Sequence, residues 1–531
     1  MNTRLVAAPC RVIALLAAVA SASFAQAVNK PITQDVYDTW RALTGPSLSA
    51  DGKWTAYTAG PVVGDGDLFV RSTTGTTEFK VSRGFTGRPQ MQPNADSGFT
   101  AAAAQFSGDS RFVAFLQYAP KSAFDALPRS GRGRAAQQPR NNLGLVSLPD
   151  GGVTIVPRVR SFRLARDGGR YIAYMLESDS AAPAAGGGGR GGGGRGGRGA
   201  AGAAEATTSG GAGGPRRDPG FTLVLRELAT GTETRIEDVS AYTMDDAEKW
   251  LAYTTSSPDS AKAGAFVRQL SNGITTALLE GGGSYRSLVL DRAGTQVAFV
   301  SDHADAGAAR PRFALYTSTL SGGKGQTAPA PAAEVVRADQ FGPGLRVSDR
   351  GGVSFTRDGS AVLFALAKPP MDTIPADSLV DKANYDLWSW TDPVINPVQK
   401  VQIGRERNKT YSAIYQPLTK KAFRLSDDTL ERVQVSDNGK LALGSAALPY
   451  MIDAGWGEGG SDVYLIDATT GVRTLVMKRM RQQPSLSVTA KYLAYFHDGA
   501  WQARSTATGK TVNLTASLRG VPFFDEEAGG D

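Results

Sequence analysis

Cysteine is almost missing from this chain: 531 residues contain one, Cys10. It precedes an N-terminal apolar stretch, so a mature chain cut after that stretch has none. Disulfide cross-links and thiolate chemistry are excluded together. Histidine is nearly as scarce, with His303 and His497 alone. A zinc site draws three or four ligands from His, Cys and carboxylates, and neither histidine has a second one at ligand spacing. No Gly-x-Ser-x-Gly occurs, so the strand-to-helix elbow that exposes a hydrolase serine is absent. Long apolar runs are absent too. The stretch from Val12 to Val19 is too short to span a bilayer.

That stretch has a different use. "MNTRLVAAPCRVIALLAAVASASFAQA" combines basic Arg4 and Arg11, the apolar segment, and Ala25-Gln26-Ala27 as a small-x-small cleavage site. Residues 1–27 read as a signal peptide cut near Ala27, which predicts a periplasmic or secreted protein with no integral membrane segment after cleavage. The net charge of +8 is local. Arg129, Arg132, Arg134, Arg140, Arg190, Arg195, Arg198, Arg216 and Arg217 lie in two Gly/Ala/Pro-rich stretches and account for the whole surplus. The stretches 121–141 and 178–220, the second containing "GGGGRGGGGRGGRG", cannot form a core and are expected to be disordered loop insertions. Arg-Gly tracts that bind RNA act with stacking aromatics, and none stands between Tyr174 and Phe221. No nucleic-acid partner is expected. The other reading of these loops is contact with a polyanion.

What is abundant is a repeat. An apolar residue, a small polar residue, a turn with Asp and Gly, a basic residue and then alternating apolar residues around Ala recur eight times. The copies are "LSADGKWTAYT" (48–58), "FSGDSRFVAFL" (106–116), "LARDGGRYIAYM" (164–175), "TMDDAEKWLAYT" (243–254), "LDRAGTQVAFV" (290–300), "FTRDGSAVLFAL" (355–366), "VSDNGKLALGS" (435–445) and "LSVTAKYLAYF" (486–496). Second runs such as "DLFVRSTTG" (67–75) and "DVYLIDATTG" (462–471) follow them. Period-two alternation with Asp-Gly and Thr-Gly turns predicts consecutive antiparallel strands. Asp bonds its own backbone in such turns, and Gly accepts positive φ. Repetition on this scale predicts an all-β fold, a β-propeller of about seven or eight four-stranded blades, over 28–523. A sandwich is too small for eight units. A short helix is expected near 33–43.

No catalytic, cofactor-binding or metal-binding residue emerges. His303 and His497 read as turn histidines, with a catalytic base as the other possibility. "ATGKT" (507–511) lacks the first glycine of a phosphate loop, since Arg504 stands there, and reads as a hairpin. "GDGD" (64–67) lacks the later ligands of a calcium loop and reads as a turn before a strand. Trp388 and Trp390 alternate with Leu387 and Ser389, predicting a strand with both indoles packed on one side. The acidic residues 524–531 read as a tail or the start of a linker.

Two stretches carry a family likeness. "KPITQDVYDTWRALTGPSLSADGKWTAYT" and "PPMDTIPADSLVDKANYDLWSWTDPVINPVQKVQ" with "ERNKTYSAIY" resemble the N-terminal propeller of exported bacterial peptidases of the prolyl oligopeptidase family. The resemblance implies a propeller that filters access to a C-terminal α/β-hydrolase domain with Ser, Asp and His. No position of this chain matches those catalytic motifs, so none is carried over. Glu526 and Glu527 lack the aromatic setting of the Glu pair that holds a substrate amino group in some dipeptidyl members. The implied function is substrate gating for peptide hydrolysis, with a peptide or a hydrolase domain as partner and no activity by this chain alone. The alternative is a stand-alone TolB-like propeller that binds a protein or peptide.

Overall fold

The computed structural model describes residues 40–518, apart from 62–63, 86–102, 127–138, 178–218, 258, 309, 322–327, 371–386 and 388, together with residue 520. The described chain is a series of antiparallel sheets whose strands follow one another in sequence order. Five sheets have four strands, one has five and one has seven. The two larger sheets are variations on the same unit. The seven-stranded sheet is two units joined by one long strand, Glu233–Met244. Its first part pairs with Phe221–Glu227, and from Val239 onward it pairs with Trp250–Thr255. Asp238, with φ 59°, breaks the strand where it changes partners. The five-stranded sheet has its first strand split into Arg346–Val347 and Ser354–Phe355, both paired with Val362–Ala367. This leaves eight four-stranded units, one per sequence repeat, and the fold is a β-propeller. Blades 1 to 8 cover 41–85, 105–156, 159–239, 239–280, 285–336, 346–424, 432–480 and 485–513.

Each repeat copy forms the end of a blade's innermost strand, the first turn and the second strand. The mid-strand alanines Ala56, Ala114, Ala173, Ala252 and Ala298 are completely buried. Any larger side chain there would hold neighbouring sheets apart, because interiors are packed close to crystal density. Seven core clusters fill the seven spaces between consecutive blades. Leu68 and Val70 of blade 1 meet Val113 and Phe115 of blade 2. Val267 meets Phe299 between blades 4 and 5, and Val463 meets Leu493 between blades 7 and 8.

Hydrogen bonds between first turns follow the same series. Asp51 N donates to Ser110 Oγ at 3.2 Å. Gly108 N reaches Gly168 O at 2.5 Å, and Asp167 N reaches Asp246 O at 2.8 Å. Lys249 Nζ contacts Ala293 O at 3.4 Å, and Gln296 Nε2 contacts Gly359 O at 3.0 Å. Asp358 N donates to Asp437 O at 3.3 Å, and Asn438 Nδ2 to Thr489 O at 3.5 Å. Among the described residues neither a core cluster nor such a bond joins blade 8 to blade 1.

Two local expectations fail. Arg41, Ala42 and Leu43 are not helical but begin a strand, paired with Pro61, Gly60 and Ala59; the rest of the expected helix lies outside the described residues. Trp390 is 90% exposed in a turn. Ser389 N donates to the Asp392 carboxylate and Asp392 N to Ser389 O, both at 3.1 Å. This local turn chemistry overrides the alternating pattern, and Trp388 lies outside the described residues. The stretch 121–141, expected to be a disordered insertion, opens instead with a short helix, Lys121–Asp125, whose Phe124 ring lies 5.7 Å from Phe85.

Candidate functional site: the two rims

Strand order gives the propeller two unlike rims. In each blade the first-to-second and third-to-fourth connections leave from one end, here the turn rim. The second-to-third connections and the links between blades leave from the other, the loop rim. The five longest connections are 86–104, 118–141, 177–220, 368–409 and 447–460, and all five leave the loop rim. The longest on the turn rim is 320–332. Loops set on a rigid scaffold carry function more often than the scaffold does.

The turn rim is occupied by structural work. In blade 1, Ser49 Oγ accepts Trp54 N at 3.0 Å and donates to Asp51 at 2.6 Å. Ser107, Thr356, Ser436 and Ser487 accept the N–H five residues on in the same way. Asp245 and Asp291 do so with carboxylates, to Trp250 N at 2.6 Å and Gln296 N at 2.7 Å. Blade 3 has Ala165 at this position and one more residue in the turn. There Glu248 of blade 4 reaches across, accepting Arg170 N at 3.0 Å and Tyr171 N at 3.1 Å. The sequence pattern marks these turns but carries no sign of the substitute, because Glu248 belongs to another repeat.

On the loop rim, His303 follows the second strand of blade 5 in a single 3-10 turn. Its ring Nδ1 lies 3.1 Å from Gly282 O and 3.3 Å from the Tyr285 hydroxyl. A carbonyl only accepts, so the ring donates from Nδ1 to Gly282 O. Tyr285 donates to Gly281 O at 2.9 Å, and Asp302 accepts Ser284 N at 2.6 Å. Burial raises the Asp302 carboxyl above its ordinary range, against the bond from Ser284. Together these groups clamp the Gly281–Gly283 link between blades 4 and 5. Gly281 and Gly283 have φ of 123° and 139°, and a Cβ on Gly281 would stand 2.7 Å from His303 Cε1. His497 is exposed, with Nε2 3.5 Å from Asp498. Neither imidazole hydrogen-bonds a Ser or Thr hydroxyl among the described residues, so neither is placed to activate one.

A second loop-rim cluster joins blades 6 and 7. Asp428 accepts Tyr411 OH at 2.6 Å and Lys368 Nζ at 2.9 Å, and Lys409 reaches Glu431 at 2.6 Å. Hydrogen bonds from Tyr411 and Lys368 hold the Asp428 carboxyl down at about 2. Every charge here has an opposite partner, the pattern of a structural joint.

Of the other sequence motifs, "ATGKT" falls where its hairpin reading put it, whereas the acids of "GDGD" stand not in the turn before the strand but in the strand itself. Asp65 and Asp67 lie in a strand, Asp65–Ser72. Gly509 of "ATGKT", with φ 70°, closes the last hairpin. Residues 1–27, 178–218, Glu526 and Glu527 lie outside the described residues. Among the described residues there is no group of three or more His, Cys, Asp and Glu able to hold a metal, and no helix long and apolar enough to cross a membrane.

No family model matches the chain, and no curated protein matches it. Solved structures similar to it include a prolyl endopeptidase, at 11% identity and a TM-score of 0.36, with 94% of this chain and 60% of that chain covered. Dipeptidyl peptidase 4 of Porphyromonas gingivalis is 12% identical with a TM-score of 0.39, covering 76% of this chain and 50% of that one. The propeller domain of the trilobed protease from Pyrococcus furiosus is 7% identical with a TM-score of 0.31, covering 84% and 100%. The chain therefore spans less than two thirds of the length of those two peptidases. Likeness this distant does not reach function, and the propeller assignment rests on this chain's own strand order.

Proposed function

We propose that this chain is the substrate-gating propeller of an exported prolyl oligopeptidase-like serine peptidase. On this reading the loop rim faces a hydrolase domain carrying Ser, Asp and His. The propeller admits short peptides and excludes folded proteins by size. The observation that supports the reading is the placement of the five longest connections on one rim, opposite a rim of short bonded turns. The segment "ERNKTYSAIY", on which the family resemblance partly rests, leads from the helix Asn396–Arg407 on that face into the strand Thr410–Gln416. Acyl-transfer chemistry needs a nucleophile, a base and an orienting carboxylate in mutual contact. Among the described residues neither histidine has that company, and on this reading the other domain supplies the chemistry.

The test is to recover the native polypeptide from its source cells, measure its intact mass and treat it with a fluorophosphonate serine-hydrolase probe. The expected species either exceeds this chain by roughly one domain, about 250 residues, or copurifies with such a domain, and takes the probe. A species ending at Asp531, inert to the probe and without a hydrolase partner, would overturn the proposal in favour of a stand-alone binding propeller.

A further inference from the structure

In a series of blades each sheet turns one face to the preceding blade and the other to the next. Leu493 and Tyr495 of blade 8 lie in the core shared with blade 7. Side chains alternate across a strand, so Tyr492, Ala494 and Phe496 point the other way. Their strand partners Ser505, Ala503 and Trp501 stand on that face with them, and Val512 lies beside Ala503. Leu514 N donates to Trp501 O at 2.8 Å, which sets Leu514 in the Trp501 row. This composition is that of a joint between blades. Ala494 occupies the repeat position of Ala56, Ala114, Ala173, Ala252 and Ala298, all completely buried. Ala494 itself is only half-buried, and Tyr492, Trp501, Val512 and Leu514 are 54%, 43%, 54% and 56% exposed. Blade 8 therefore ends the described series with an uncovered apolar face.

Blade 1 is a poor cover for it. Its own outward face carries Asp67, with Arg41 at 3.6 Å and Lys80 at 3.1 Å, beside the stacked rings of Tyr57 and Phe69. A dry joint would strip these charges of water. The chain that leaves blade 8 is better placed. Trp501 N donates to Thr515 Oγ1 at 3.3 Å, and Leu518 N to Thr515 O at 3.0 Å, so a turn forms directly beside Trp501. Past Gly520 the sequence reads "VPFF" (521–524) and then Asp525, Glu526 and Glu527. Charge matches as well. Residues 485–513 of blade 8 hold Lys491, Arg504 and Lys510 against a single acid, Asp498. Ser505 N bonds Lys510 O at 2.9 Å, which puts Lys510 at the turn-rim end of the uncovered face. Lys510 is exposed and makes no ion pair among the described residues. From the Trp501 row to the Ser505 row is about 13 Å of strand, and the chain from Gly520 to Glu526 reaches about 20 Å when extended.

We propose that the uncovered face of blade 8 is the docking site of residues 521–527 of the same chain. Ala494 and Ala503 form a low middle row between the Trp501 row and the Tyr492 row. Phe523 and Phe524 fill that trough against Trp501 and Val512, and the carboxylates of 525–527 reach Lys510. Aromatic rings suit such a trough because they bury a large area at a small cost in side-chain freedom. A repeat array needs its last apolar face hidden by a cap with a polar exterior, and this segment is that cap. Left open, the face is a contiguous apolar patch available to a second copy. The inference does not rest on the gating function proposed above.

Hydroxyl-radical footprinting of the full chain, read residue by residue by mass spectrometry, tests this. The double variant Phe523→Ser/Phe524→Ser should raise oxidation of Trp501 and Tyr492 severalfold. Trp390 and Trp456, 90% and 85% exposed on other blades, should not change and serve as controls. Lys510→Glu should raise Tyr492 oxidation at low salt by repelling the acids. A second measurement needs no loss of function from the tail: p-benzoylphenylalanine in place of Phe524, irradiated in the full chain. The expected product has the mass of one chain and joins position 524 to a peptide containing Trp501 or Val512. Unchanged oxidation of Trp501 and Tyr492 in the double variant overturns the proposal. So does a crosslink to blade 1 or to a second chain, or none to blade 8. An unaltered Tyr492 signal in Lys510→Glu overturns the charged half of the contact.

Discussion

Replacing Glu248 with alanine removes a contact that no other group in the turn can supply. The carboxylate accepts Arg170 N and Tyr171 N at 3.0 and 3.1 Å from the neighbouring blade. Both N–H groups sit in the one turn whose small polar residue is replaced by Ala165. A hydrogen bond to a charged group contributes about 1.5–3 kcal/mol when well shielded. Here Arg170 N is exposed and Tyr171 N partly buried, so water replaces part of the loss. For the two bonds together we expect Glu248→Ala to destabilise by about 1–3 kcal/mol. Among the described residues each core cluster joins two consecutive blades, so the effect should concentrate at the joint between blades 3 and 4. The assay is urea unfolding combined with amide hydrogen exchange. The expected result is a lower midpoint with faster exchange at Arg170 and Tyr171, while Trp54 and Phe112, capped by their own serines, stay protected. Glu248→Gln, which keeps one strong acceptor, should fall between. An unchanged midpoint and unchanged exchange at those two amides in Glu248→Ala would refute the reasoning.

Two further outcomes follow from the same joints. At Gly108 an added Cβ would stand 2.5 Å from Asp167 C and 2.6 Å from Gly168 O in the next blade, and backbone cannot swing away as a side chain can. Gly108→Ala should cost about 1–3 kcal/mol, seen as a lower thermal midpoint. A melt identical to the unaltered chain would show that blades 2 and 3 slide apart freely. Acid should weaken the joint between blades 6 and 7. Burial alone would raise the Asp427 carboxyl, but bonds from Thr429, Leu430 N and Arg473 outweigh it and hold it well below the usual range. Asp428 is held at about 2. Carboxyls depressed in the folded state contribute stability above their unfolded value, about 3.9, and lose it as pH falls through the folded value. Stability should therefore drop from about pH 4 downward, and Asp427→Asn should flatten that drop while lowering stability at neutral pH. An unchanged acid profile in this variant, followed by circular dichroism, would contradict the assignment.

The all-β character, the eight units and the position of every first turn were legible in the sequence, because each depends on residues a few positions apart. Alternating apolar residues choose the strand, and Asp with Gly chooses the turn, whatever the rest of the chain does. "LSADGKWTAYT" already determines that Ser49 can accept Trp54 N. Partnership between repeats was not legible. That Glu248 would supply blade 3 depends on which blade stacks beside which, and Ala165 by itself reads only as a weak copy. Trp390 alternated like a strand residue, but with no neighbouring sheet edge the Ser389–Asp392 turn prevailed.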